Sequence, residues 1–257
     1  GFGNKQDALY EPLVAWISRQ LGGRLVKYDM TREETFACTR VRHSIKYHLI
    51  SYVRPDGTFA ARWMEGFSNQ GAYASHGHSI VAKSQSGFSQ LYQADAIEAK
   101  VYTVYTATAG AMRGYGMPQI SFAMESHMEE IAHGLHMNPW ELRKKNLMPV
   151  GFTDGFSKNV NFYPSHEMCM EKAMEAIHYK EKKALYEQET GPVRHGLGIA
   201  VFWYNTAVWP ISLETSSCRM VLNQDGSIQL QLGETEIGQG ADTAFAQMAA
   251  DSVGIPF

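Results

Sequence analysis

The sequence predicts an α+β fold of mixed helices and antiparallel sheet, on three observations. Apolar residues recur at helical spacing in residues 7–21, 119–136 and 165–187. Alternating stretches fold back about the turns Arg54-Pro55-Asp56-Gly57 and Asn223-Gln224-Asp225-Gly226. Helices and hairpins do not alternate in the regular order that a parallel α/β sheet requires.

Each element has a local reason. Leu9, Leu13, Trp16, Ile17 and Leu21 mark the first helix, with Pro12 near its start and Gly22-Gly23 as its stop. Residues 24–29 alternate as a strand, and Thr31-Arg32-Glu33-Glu34 reads as a capping box opening a short turn. Residues 41–67 form a hairpin about Pro55-Asp56-Gly57, and 99–105 a further strand. Ile120, Ala123, Met124, Ile131 and Leu135 share one helix face. Asn138-Pro139-Trp140-Glu141 supplies an N-cap, a proline and an acid to restart a helix. Residues 165–187 are helical with a solvated charged end, 191–196 break the chain, and 197–232 are strand-rich. The break divides the chain into a first unit, 1–190, and the start of a second, 191–257.

The 257 residues are 44% hydrophobic and 19% charged, enough to bury a substantial core. A net charge of −3 gives no basis for binding nucleic acid or an anionic membrane. No apolar run reaches the roughly 20 residues of a membrane span, and no signal segment opens the chain. Cys38, Cys169 and Cys218 lie far apart, which supports neither a disulfide framework nor a zinc or iron–sulfur site and favours a reducing, cytoplasmic setting. The chain starts at Gly1 within a glycine-rich element and without a methionine, so it is expected to be an internal fragment of a longer subunit.

Chemistry concentrates in glycine-rich turns. Gly110-Ala111-Met112-Arg113-Gly114-Tyr115-Gly116-Met117-Pro118-Gln119 sets one arginine among glycines just before a helix. The glycines permit close approach, the helix start offers N–H groups, and Arg113 adds charge, a combination suited to an anion. The same pattern also makes a plain tight connection. A second such element, Gly233-Glu234-Thr235-Glu236-Ile237-Gly238-Gln239-Gly240, again leads into a helix and presents an amide that both donates and accepts.

With the opening Gly1-Phe2-Gly3-Asn4-Lys5-Gln6, these elements resemble the large, molybdenum-binding subunit of the xanthine dehydrogenase and aldehyde oxidase family, most closely bacterial xanthine dehydrogenase-like subunits. Thr31-Arg32-Glu33-Glu34, residues 68–78 and Leu142-Arg143-Lys144-Lys145-Asn146-Leu147 extend the resemblance over nearly the whole chain. It implies the molybdopterin-binding region of a molybdenum hydroxylase, in which the pterin carries the metal and no side chain ligates it. Phe2, Gly3 and Arg113 would then lie beside the metal, Arg113 through its backbone, and Gln239 would contact the pterin, with Gly238 and Gly240 permitting the approach. Packing alone also accounts for an aromatic such as Phe2.

The resemblance further implies hydroxylation of an electron-poor carbon with water-derived oxygen, and electron transfer to iron–sulfur clusters and FAD in partner subunits. The family's glutamate base lies beyond Phe257, so no catalytic residue is assigned; Glu125, Glu129 and Glu130 are explained by the polar face of a helix. Without that part, the isolated chain is expected to be inactive. In the substrate pocket, Gln6 and Ala74 stand where animal xanthine oxidases carry a charged glutamate and arginine, and Tyr115 replaces a phenylalanine. The loss of both charged groups speaks against xanthine itself and leaves hypoxanthine, another N-heterocycle or an aldehyde.

His76 and His78 at i, i+2 invite a metal reading, but without a third ligand a turn of hydrogen-bonded histidines accounts for them. His127, His133 and His136 show no H-E-x-x-H pattern, which excludes a zinc hydrolase of that type. An assembly module that has lost catalysis is the rival to the enzyme reading.

Overall fold

The computed structural model describes residues 8–106, 109–153, 158, 160–204, 216–234, 236 and 238–257. Phe2, Gly3 and Gln6, and residue 7 at the start of the first expected helix, lie outside them.

Helix α1 (Glu11–Gln20) carries Pro12 in its first turn and stops at Gly22 and Gly23, both at positive φ, as the sequence predicts. It buries none of its residues, and Trp16 is 59% exposed. Residues 24–29 form no strand, a correction to the expectation. Alternation sets the conformation of a strand, whereas a ladder needs a neighbour, and none pairs here among the described residues. The capping box at α2 (Arg32–Cys38) is present: Glu34 N–H donates to Thr31 Oγ1 at 3.1 Å and Thr31 N–H to Glu34 Oε2 at 2.8 Å.

Strands β1 (Ile45–Val53) and β2 (Phe59–Gly71) form the expected antiparallel hairpin, with Gly57 at φ +87° in the turn. Helix α3 (Gly77–Leu91) then crosses to β3 (Ala96–Tyr105), which pairs with β2 in parallel. The sheet, in order β1-β2-β3, is therefore mixed. Helix α3 is absent from the sequence reading because its serines and glycines weaken the helical signal. Those small residues serve packing: the space a Cβ would take at Gly87 holds Met117 Sδ, 2.7 Å away. Buried Arg62 on β2 secures the end of α3 by donating to the carbonyls of Phe88 at 3.1 Å and Tyr92 at 2.7 Å. The guanidinium also lies 4.2 Å over the Phe88 ring.

Helices α4 (Met117–Gly134) and α5 (Pro139–Asn146) follow, the latter capped by Asn138, whose side chain accepts from Trp140 N–H at 2.9 Å. The stretch expected as one helix over 165–187 is two, α6 (Ser165–Ala176) and α7 (Tyr179–Tyr186). His178, at φ +53°, turns the chain between them. Beyond them, 197–204 have no regular secondary structure, and β4 (Cys218–Leu222) pairs antiparallel with β5 (Ile228–Leu232) before α8 (Ala241–Val253). Residues 205–215 of the strand-rich expectation are outside the described set.

Helices α3 and α4 cover one face of the sheet, and Met64, Phe88, Leu91, Tyr92, Ile120, Met124, Met128 and Leu142 make the core. Glu125 corrects a second expectation, since it lies in this core while Glu130 is on the solvated face. Its Oε2 accepts from Arg143 Nε and from the Val201 N–H, each at 2.8 Å, and its Oε1 accepts from Tyr92 Oη at 2.7 Å. One carboxylate thus ties α4, α5, the end of α3 and the 197–204 segment together.

Candidate functional site

The Arg113 turn is built by three chain segments. Gly110 pairs with the stretch before β1, its N–H donating to the Val41 carbonyl at 2.9 Å. Gly114, Tyr115 and Gly116 then take φ of +93°, +47° and +96° in succession, and Gly116 caps the N-terminus of α4. Glycine is required at 116 on two counts, the positive φ and a close pass in which a Cβ would sit 2.3 Å from the Ile80 carbonyl of α3. Tyr115 pays the steric cost of a left-handed residue with a Cβ and has a compensating partner. Its hydroxyl meets His76 Nδ1 at 2.5 Å.

Arg42 fixes the peptide after Arg113 by donating to its carbonyl, and reaches Gln119 Oε1 at 3.4 Å. Gln119 Nε2 in turn donates to the His43 carbonyl at 3.0 Å. Ala74 is exposed in the turn leading to α3, whose Gly77 N–H returns to the Ala74 carbonyl at 2.8 Å. Ser75 beside it accepts from Arg40. Tyr115 thus meets His76, two residues along the chain from Ala74. The structure makes His76 a hydrogen-bonded residue capping α3 and puts His78 in the first turn of that helix.

Two arginines meet this region, Arg40 on Ser75 and Arg42 on the Arg113 carbonyl. Burial, then Arg40 and His78, lower the His76 pKa, favouring its neutral form. A neutral imidazole can share a proton with the phenol.

Gln239 stands on the second turn, exposed between Gly238 at φ +98° and Gly240 at φ +84°. Glu236 Oε1 accepts from the N–H groups of Gly238 and, at 3.2 Å, Gly240, while Oε2 accepts from Asp242 N–H at 3.2 Å. The Gly238 amide foremost holds the Glu236 carboxyl below the usual carboxylate range, and amides converging in this way make a nest suited to negative charge, here occupied by Glu236 itself. Phe245 and Met248 of helix α8 and Leu230 and Leu232 of β5 line one open cleft.

Arg40, Arg42, His43, Gln119 and Glu236 escape the sequence reading. The run Arg40-Val41-Arg42-His43 was the available signal, two arginines and a histidine beside a strand start. His43 is buried with Nδ1 2.9 Å from Ser68 Oγ, and its Nε2 is buried without a hydrogen-bond partner among the described residues. No group of three or more His, Cys, Asp or Glu side chains among those residues is arranged to hold a metal. Left-handed glycine turns and an orphaned buried imidazole nitrogen suit an extended polar cofactor.

These features define a cofactor-cradling protein. The chain belongs to the molybdopterin cofactor-binding domain family, whose two domain descriptions match residues 1–147 and 172–257 in order. It is 40% identical over 258 residues to the xanthine dehydrogenase molybdenum-binding subunit of Escherichia coli O157:H7, covering 100% of this chain and 34% of that subunit. Among solved structures it resembles the aldehyde oxidoreductase of Desulfovibrio desulfuricans with a TM-score of 0.79 at 27% identity, over 99% of this chain and 28% of that one. The aldehyde oxidoreductase of Desulfovibrio gigas gives a TM-score of 0.78 at 26% identity, over 98% of this chain and 27% of that one. The chain spans about a third of the length of these curated relatives. The likeness covers the expected α+β fold and the molybdopterin assignment.

Proposed function

We propose that this chain is the molybdopterin-binding part of a molybdenum hydroxylase acting on a purine or related N-heterocycle. The observation that carries the reading is the ordered match to two molybdopterin cofactor-binding domains, with a glycine turn at positive φ in each. Bound molybdopterin supplies a metal that accepts two electrons from the substrate carbon during hydroxylation. The chain's own residues bind and orient. Phe2, Gly3 and the Arg113 backbone border the metal end, and Gln239 meets the pterin between Gly238 and Gly240. Gln6, Ala74 and Tyr115 face substrate, with Tyr115 steadied by His76.

Two units, 1–190 and 191–257, share the cofactor, and the Glu125–Val201 bond joins them. Electrons leave to an iron–sulfur subunit and an FAD-binding subunit in the cytoplasm; no helix among the described residues is long and apolar enough to cross a membrane. The part of the subunit outside this chain supplies the glutamate base, and the isolated chain is inactive. Likeness to two aldehyde oxidoreductases favours an aldehyde as the second substrate reading. A noncatalytic assembly module is the remaining alternative.

The test is molybdenum content and turnover of hypoxanthine, xanthine, nicotinate and aldehydes by the full-length subunit purified with its partners. Metal with heterocycle turnover supports the reading. Turnover of aldehydes alone selects the second reading, and an assembled complex without metal or turnover selects the assembly module.

A further inference from the structure

A glycine turn opening a helix is a ready seat for a phosphate, because several N–H groups converge there with the positive end of the helix. At the second turn that seat is already filled from within the chain. The Glu236 carboxylate accepts from the N–H groups of Gly238, Gly240 and Asp242, the last two at 3.2 Å. A Cβ at Gly238 or Gly240 would meet nothing within 4 Å, so glycine is needed there for the left-handed backbone and not for room. That backbone is what turns the amides onto one carboxylate. The same turn leaves the Gln239 side chain exposed.

We infer that Glu236 is a positioning residue for Gln239: its carboxylate holds the 238–242 turn in cofactor-ready shape, so that the Gln239 amide, and not the backbone N–H groups, meets the cofactor. The inference rests on the reading that Gln239 contacts molybdopterin. The group recognised at this turn is then one that a carboxamide bonds, and not an anion seated on the backbone N–H groups. Glu236 thereby removes an anion seat that the sequence advertises.

The experiment uses the full-length subunit with its partners, comparing wild type with Glu236→Gln and Gln239→Ala. Glutamine keeps the shape of Glu236 but loses its charge and one acceptor oxygen. Hydrogen exchange of the 238–242 amides in cofactor-free protein is expected to be about tenfold faster in Glu236→Gln, and molybdopterin to dissociate about tenfold faster from its holoenzyme. A Glu236→Gln holoenzyme that keeps its cofactor as long as wild type, or longer, would overturn the inference, because a carboxylate occupying the cofactor's own seat slows binding and its removal helps. Unchanged exchange would overturn it too. Faster exchange in Glu236→Gln, with cofactor retention untouched by Gln239→Ala, would instead sink the cofactor reading of Gln239 while leaving the carboxylate–amide bonds established.

Discussion

Replacing Glu125 with glutamine tests the pin that joins the two matched domains. The carboxylate is 7% exposed and accepts from Tyr92 Oη, Arg143 Nε and Val201 N–H at 2.7, 2.8 and 2.8 Å. Burial, and next the Glu125 charge, raise the Tyr92 phenol well above its usual range, so it remains a donor at any working pH. Glutamine offers one oxygen and places an NH2 group against donors. At least one of three buried donors loses its acceptor, and the fully buried Arg143 side chain keeps as its ion-pair partner only Glu129, 2.9 Å from Nη1, beside the Pro139 and Glu125 main-chain carbonyls at 3.1 and 3.3 Å. Breaking a buried ion pair from one side costs about 3–5 kcal/mol, a large share of the stability of an ordinary domain. Urea unfolding followed by tryptophan fluorescence measures the loss, and trypsin reports release of the 197–204 segment by faster cleavage at Arg194. A loss below about 1 kcal/mol would refute the pin, as would strict additivity with Arg143→Met in a double-mutant cycle.

Three further outcomes follow from the geometry. Gly116→Ala meets both a positive φ and the Ile80 carbonyl and is expected to cost about 3 kcal/mol or more, against about 1–2 kcal/mol for Gly238→Ala, which meets only the φ; thermal unfolding of the pair measures the difference. Burial pushes the His43 imidazole down to about 4, so the folded state prefers it neutral: its stabilisation is whole above the unfolded value of roughly 6.5 and is lost as pH falls from there toward 4. His43→Gln should flatten that acid limb of a stability–pH curve, which in the unsubstituted chain falls by up to ~3 kcal/mol. Tyr115→Phe removes the bond to His76 at a cost of about 1 kcal/mol in chemical denaturation, with molybdenum content of the full-length assembly unchanged.

Local chemistry made much of this legible. Thr31 with Glu34, Asn138 with Pro139, and Asp56 with Gly57 each specify their caps and turns within four residues, and each is realised. Helix α3 and the parallel β2–β3 pair were hidden because their reasons are distant: a serine-rich helix is stable here only by burial between sheet and α4. Glycine spacing exposed the two site turns. Their supports remained out of view, since Arg42 acts on Arg113 across 71 residues and Glu125 on Val201 across 76.

The crossover through α3 also bears on when the site can form. The β1–β2 hairpin closes across a short turn, whereas the β2–β3 pairing must wait for a whole helix to be laid down between its strands. The Arg113 turn seats on the Ile80 carbonyl of that helix and the His76 ring at its start. Its final shape therefore belongs to a late folding event. A newly made chain would carry its core hairpin before it could grip a cofactor, and loading would select molecules whose crossover is complete.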